Sequence, residues 1–296
     1  MTEALRKRLR FIFGLLVWAG LIAALVAGWD QAGSALASSA PVLALAVPLI
    51  VTGLLAAAQG WAVLQPPELQ PRAFRAFLAA QPAKYLPGGG AFQLVGQIGL
   101  TSRDKGDRPR AGVAFAVHAF IQVAAASSLA LLLLLDNAPP WLKTVVTAAA
   151  VTALVLIRQP VLEAGVSLIQ RVVQRIDLSG GVPSTATLWR SWAWSLVPML
   201  LSGLAFTGLA GAFTSLRMAF TTIGIFALAW VVGFLVFPLP SGLGLREVVM
   251  IGLMMPLPSS TVIATSLLHR FSTLVAELLV LAFVSRGAFV SSSQPK

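Results

Sequence analysis

The chain has 296 residues, of which 57% are hydrophobic and only 10% are charged. A soluble domain usually carries about 25% charged residues, so this chain lacks the polar surface that a soluble fold of its length needs. It contains no cysteine, and its two histidines, His118 and His269, lie far apart in sequence. We therefore predict no metal site, no cofactor and no catalytic residue.

The formal net charge of +11 has two possible meanings. In a soluble protein it would suggest nucleic acid as a partner. Here the basic residues flank apolar blocks, and no basic run is interleaved with aromatic residues on a polar surface. The charge therefore favours contact with anionic lipid head groups and predicts no nucleic-acid binding.

The N-terminus contains the first apolar stretch. Met1–Arg10 is basic, Phe11–Trp29 is apolar, and Ala35–Ala37 resembles a signal-peptidase site. The apolar stretch is longer than the usual signal-peptide core of about 7–15 residues. We therefore predict a retained first helix, with a cleaved signal peptide as the alternative, followed by a small-residue connector at Asp30–Ser39.

Further apolar stretches have the length of membrane spans. They are Pro41–Leu64, Ala111–Leu135, Trp141–Ile157, Leu188–Phe213, Met218–Phe237 and Thr261–Val284. The pattern of Arg72–Ala80 predicts a short amphipathic helix in the membrane interface, and Val161–Ile176 is predicted to be a surface helix. The fold class is therefore all-α, a polytopic helical membrane protein of about six full spans.

Two shorter apolar segments resemble each other. Leu86–Leu100 reads LPGGGAFQLVGQIGL and Leu239–Leu253 reads LPSGLGLREVVMIGL, with seven of fifteen positions identical. Segments interrupted by glycine and proline at matching places in two halves are typical of a transporter's central site. We predict two re-entrant broken helices from an internal repeat; a chance match of apolar sequence is the alternative.

The repeat divides one membrane domain, residues 1–296. The first repeat covers about 11–135, the connector about 136–184, and the second repeat about 185–286. The span count predicts that the two halves are parallel, with inverted halves as the alternative. Lys and Arg are frequent in Met1–Arg10 and Arg103–Arg110 and absent from Asp30–Pro41. This asymmetry predicts a cytoplasmic N-terminus in the cell (inner) membrane.

Charged residues occur within the second broken segment and the last span. They are Arg246, Glu247, His269, Arg270 and Glu277. A charge at the bilayer centre costs at least ~2.5 kcal/mol, so it persists when it is paired or lines a functional cavity. One interpretation is a structural Glu247–Arg270 ion pair, and another is that Arg246 or Arg270 binds an anionic lipid head group. A third is an exposed interfacial position. Glu247, His269 and Glu277 are also candidates for ion or proton coupling.

The first broken segment supplies further candidates for head-group binding. They are Lys84, Tyr85, Gly88, Gln93 and Gln97, together with Gly242 and Gly244 of the second segment. Glycine lets the backbone bend and a head group approach, and a helix N-terminus favours a phosphate. Two alternatives remain: the glutamines are satisfied by neighbouring helices, and Lys84 is an interfacial anchor.

Three motifs carry a resemblance to a known family. They are Lys84–Gly88, Pro240–Glu247 and Leu267–Arg270. They resemble the transmembrane region of lysylphosphatidylglycerol synthase, the flippase-like domain family, from about Leu9 to Phe289. Ser241 departs from the glycine common there, and Gly89–Phe92 replaces a basic and tryptophan pattern.

The resemblance implies movement of a lipid between leaflets. The cargo would be an anionic or aminoacylated phospholipid or a polyprenyl-phosphate-linked sugar. The alternative function is a non-transporting membrane subunit that anchors or assists a glycosyltransferase or aminoacyl transferase. Neither is an enzyme activity of this chain, and membrane lipids are the expected partners.

Overall fold

The computed structural model describes residues 29–85, 89–104, 106–135, 138–172, 181–212, 214–235, 244–254 and 257–292. These residues form ten α-helices. The predicted first helix, Phe11–Trp29, lies outside the described residues except for Trp29. The helices are α1 (Trp29–Ala62), α2 (Gln70–Ala80), α3 (Gly89–Thr101), α4 (Asp107–Ala130), α5 (Pro140–Leu156), α6 (Gln159–Val172), α7 (Thr185–Leu209), α8 (Leu216–Leu235), α9 (Leu245–Leu253) and α10 (Ser259–Ser292). Two 3₁₀ turns follow α2 and α4, at Gln81–Tyr85 and Leu131–Leu135.

Five helices are long and apolar enough to cross a membrane. Their spanning parts are Pro41–Ala62, Asp107–Leu133, Thr185–Leu209, Leu216–Leu235 and Ser259–Ser285. Helix α5 has 17 residues, and α6 is bent 93° away from it. The prediction of a multi-pass, all-α membrane protein is confirmed.

The connector predicted at Asp30–Ser39 is instead helical, because α1 begins at Trp29. Its alanines are strong helix formers and it contains no glycine or proline after Gly33. Pro41 and Pro48 lie inside the helix. A membrane helix tolerates proline when nearby groups satisfy the exposed backbone, and Thr52 donates its hydroxyl to the Pro48 carbonyl at 2.9 Å.

Helices α1 and α7 form the central antiparallel pair. A Cβ added at Gly53 would lie 3.1 Å from the Cα of Pro198, so the two backbones nearly touch. Further along, the Ser191 hydroxyl donates to the Gly60 carbonyl at 2.7 Å. Small residues and an interhelical hydrogen bond are the usual means of joining membrane helices.

The bundle has two distinguishable ends. The basic end holds Gln65, Arg110 and Ser184 around one cleft. The opposite end holds Leu133 and Ala210 in one apolar cluster. Most described arginines near helix ends belong to the basic end: Arg72, Arg103, Arg108, Arg110, Arg158 and Arg190.

The first hairpin, Gln70–Thr101, begins and ends at the basic end. The Gln70 side chain donates to the carbonyl of Gln65, where α1 finishes. Arg72 Nε donates at 2.7 Å to the carbonyl of Leu100, near the end of α3. Helices α2 and α3 are therefore antiparallel, and the turn between them points into the bundle.

The second hairpin, Leu216–Leu253, has the reverse orientation. Helix α8 starts where α7 finishes and runs inward, and Arg246 at the start of α9 lies against Gly233. Met254, just after α9, joins the apolar cluster of Ala210. Both described ends of this hairpin therefore lie at the opposite end of the bundle.

The two short helices run in opposite directions, α3 toward the basic end and α9 away from it. Helix α10 then returns, since Leu268 packs with Ala205 and Val280 packs with Trp61. The span count predicted parallel halves, whereas the directions of these two helices favour the inverted alternative. The reason is that the second hairpin turns back to the end where α8 begins.

Candidate functional site

Each hairpin forms an ion pair with α10. Lys84, in the turn of the first hairpin, donates through Nζ to Oε1 of Glu277. Arg270 donates to Oε1 of Glu247 through Nε at 3.1 Å and Nη2 at 2.7 Å. These four residues and Arg246 are called the charged cluster below. The predicted Glu247–Arg270 pair is confirmed.

The charged cluster lies between the two ends of the bundle. Arg270 and Glu277 are seven residues apart on α10, about two turns. They fall between Leu268, which packs near the end of α7, and Val280, which packs near the end of α1. Charges at this depth are tolerated because they are paired.

The two ion pairs differ in burial. The Glu277 side chain has 0% of its surface exposed and that of Lys84 has 26%. The second pair is more even, with 19% for Glu247 and 23% for Arg270. Oε2 of Glu277 is buried without a hydrogen-bond partner among the described residues. The carboxylate of Glu277 is therefore shielded from solvent, whereas that of Glu247 stays partly accessible.

The start of α9 shows why a glycine occupies position 244. Gly244 has φ +84°, a left-handed conformation that glycine adopts without strain. Its N–H donates at 2.9 Å to Oε2 of Glu247, whose other oxygen accepts from Arg270. The carboxylate thus occupies the helix start where the sequence predicted a phosphate.

Arg246 is positioned by α8. Its guanidinium lies over the Trp230 ring, with Cζ 5.7 Å from the ring centre. A Cβ added at Gly233 would lie 2.6 Å from the Arg246 Cγ. Gly233 therefore leaves room for Arg246 and allows the cation–π contact.

His269 lies beside the charged cluster rather than inside it. Its ring is buried 5.9 Å from that of Phe206 and 5.0 Å from that of Phe226. His269 is therefore packed among aromatic rings, next to Arg270 in sequence.

The glutamines of the first hairpin have different environments. Gln97 is buried, and its Nε2 has no hydrogen-bond partner among the described residues. Gln93 is half-buried. The predicted site residues Gly88 and Gly242, and the side chain of Tyr85, lie outside the part of the chain that the structure describes.

The two short helices expose matching faces. In the ungapped alignment, Val95 pairs with Val248, and they are 66% and 64% exposed. Gln97 pairs with Met250, and they are 1% and 3% exposed. Equivalent positions of α3 and α9 therefore meet equivalent surroundings, although one buried residue is polar and the other apolar.

Sequence reasoning missed the partner of Glu277 and the supports of Arg246. Lys84 and Glu277 are 193 positions apart, and only the packing of the first hairpin on α10 joins them. Trp230 and Gly233 sit in an apolar span and carried no recognisable signal. The charge of Lys84 and its place beside the glycines were the available clue.

Comparisons of the chain with protein family models, with curated proteins and with solved structures find no match. The family resemblance of the three motifs therefore stays a prediction. Function is inferred from the geometry of the charged cluster.

Proposed function

We propose that this protein moves a lipid with an anionic head group between membrane leaflets, through the charged cluster. The observation that carries the proposal is the meeting of two broken hairpins, one from each end of the bundle, on opposite charges of α10. Transporter sites are built in this way, from discontinuous helices near the bilayer midplane. The motif resemblance to the flippase-like domain family supports the same proposal.

We infer that both hairpins are re-entrant and that they form an inverted internal repeat. The opposite directions of α3 and α9 and the matching exposure of Val95 and Val248 support this. Helix packing supports it as well: α4, after the first hairpin, packs on α7 and α8, and α10, after the second, packs on the equivalent helices α1 and α2. The basic end would face the cytoplasm, as would the N-terminus.

The ion pairs suggest how a head group would bind. A phosphate carries the same charge sign as Glu247 and would replace it as the acceptor for the two N–H groups of Arg270. Arg246 lies next to this position. The acyl or isoprenoid chains would remain in the bilayer while the head group passes between the hairpins and α10.

The carboxylates also offer a route for coupling to protons. Protonation of Glu247 or Glu277 would remove the attraction that holds a hairpin on α10. His269, next to Arg270 in sequence, is a further candidate for this coupling. Release of one hairpin at a time would open the cluster alternately toward each end.

Reconstitution tests the proposal. Purified protein in liposomes with fluorescent phosphatidylglycerol should accelerate leaflet exchange, and Arg270→Ala should reduce the rate at least tenfold. Glu247→Gln should change the rate in the same assay. Arg217→Gln, an exposed cation at the start of α8, is the matched control and should leave the rate unchanged.

Folding of each variant is checked by thermal unfolding and gel filtration. Well-folded Arg270→Ala and Glu247→Gln proteins with the wild-type exchange rate would reject the charged cluster as the pathway. No exchange by the wild-type protein would instead favour the alternative function, a membrane subunit that assists a transferase.

A further inference from the structure

A cleft of about 390 Å³ opens at the basic end, apart from the charged cluster. The end of α1, the start of α4 and the start of α7 meet there. The lining residues that the argument uses are Gln65, Arg110, Ser184, Thr187 and Arg190.

Two arginines line the cleft, and no described residue provides a counter-charge. Arg110 and Arg190 are exposed, and neither has a hydrogen bond or ion pair with another described residue. None of the described residues that line the cleft is an aspartate or a glutamate. Two guanidinium groups in one concave surface favour an anion.

One residue that lines the same cleft carries a buried donor. Gln65 is only 4% exposed, yet its Nε2 has no hydrogen-bond partner among the described residues. A buried N–H group left unsatisfied costs roughly 1–3 kcal/mol, so an acceptor is expected beside it. No described residue supplies this acceptor, so a molecule bound in the cleft is a candidate for it.

The N-terminus of α7 also lies at the cleft. This helix has 25 residues, and Ser184 caps it by accepting from the Thr187 N–H. The positive end of its dipole opens on the cleft that Arg190, one and a half turns later, also lines. Donors from α4, from α7 and from the segment after α1 therefore line one volume.

We propose that this cleft is a binding site for a phosphate group. The site is distinct from the charged cluster and does not depend on lipid movement, since it is defined by binding alone. Two sources carry the required chemistry: a phospholipid head group at the membrane surface, and phosphate free in solution. Val63, Leu64 and Val182 supply an apolar wall suited to the first source.

Titration calorimetry on the full chain in detergent tests the proposal with two probes, dihexanoyl phosphatidylglycerol and inorganic phosphate. Binding of at least one probe is expected. The double variant Arg110→Gln/Arg190→Gln should weaken it at least tenfold, and Gln65→Leu should weaken it severalfold. Arg171→Gln, which removes one exposed cation of α6 outside the cleft, should bind like wild type.

The outcomes separate the sources. Equal loss of both probes in the double variant assigns the site to the phosphate group itself, whereas loss of the lipid with no binding of inorganic phosphate assigns it to a head group. Wild-type affinity in the double variant, or no binding of either probe to wild type, overturns the proposal. If Gln65→Leu fails to fold, the surface double variant still decides.

Discussion

Each hairpin is joined to α10 by one ion pair, but the two pairs have opposite polarity. The first contributes a cation, Lys84, to a carboxylate on α10, and the second contributes a carboxylate, Glu247, to a cation on α10. The wrong pairing would place Lys84 against Arg270 and Glu247 against Glu277. Like charges at that depth are strongly unfavourable, so α10 specifies which hairpin docks at which position.

The pairs also differ in what their loss would leave behind. On the first hairpin the buried partner is the carboxylate of α10, with no exposed surface. On the second, both partners keep about a fifth of their surface. The first pair should therefore matter more for folding, and the second is better placed to exchange its partner for a ligand.

The largest effect is expected for Lys84→Met. It leaves the Glu277 carboxylate buried without a counter-charge, and breaking a buried pair in this way costs about 3–5 kcal/mol. The free energy of unfolding, measured by denaturant titration in detergent micelles, should fall by that amount.

The double variant Lys84→Met/Glu277→Leu is its control. Removing both charges should restore most of the lost stability, because no isolated charge remains. A double variant as unstable as Lys84→Met would show that the ion pair is not the cause.

Arg270→Met should cost less, about 1.5–3 kcal/mol, because it removes charged hydrogen bonds from a group that water or head groups still reach. Glu247 would also remain the acceptor for the Gly244 N–H. The same titration measures it. A loss of unfolding free energy equal to that of Lys84→Met would contradict the expected difference between the two ion pairs.

Gly233→Ala tests how the second hairpin is held. The new methyl group would lie 2.6 Å from Cγ of Arg246, so Arg246 must shift away from Trp230. Such overpacking typically costs about 1–3 kcal/mol. Gly252→Ala is the matched control on α9, with nothing within 4 Å of the added Cβ. It should be neutral or slightly stabilising, and similar thermal midpoints for both variants would contradict the packing.

Arg72→Ala should have the smallest effect. Its Nε donates to the Leu100 carbonyl at the exposed base of the first hairpin. A single exposed hydrogen bond contributes about 1 kcal/mol or less. Hydrogen exchange of the α3 backbone should rise locally while global stability changes little, and a global loss like that of Lys84→Met would contradict this.

Much of the fold could be predicted because the membrane imposes simple rules. Hydropathy and length located Pro41–Leu64, Thr261–Val284 and the other spans, and glycine and proline marked the two broken segments. Charge alone singled out Glu247 and Arg270 as partners. These signals are local or depend on a buried charge needing its counter-charge.

The remainder depends on packing that no local signal encodes. The direction of the second hairpin follows from how α9 lies on α8, and the Lys84–Glu277 pair follows from how the first hairpin lies on α10. The helix at Asp30–Ser39 was missed because small residues were read as a connector, although alanine favours helix. The basic cleft brings together the ends of three helices that are separate in sequence.

The central claim is that the two hairpins enter from opposite ends, and cysteine accessibility tests it most directly. The chain has no native cysteine, so Arg108→Cys and Ser260→Cys each report alone. Both positions are exposed, just after the first hairpin and just after the second. With a membrane-impermeant maleimide, we predict that Ser260→Cys is labelled on intact cells. Arg108→Cys should be labelled only after the membrane is permeabilised. Labelling of both variants from the same side would contradict the inverted arrangement.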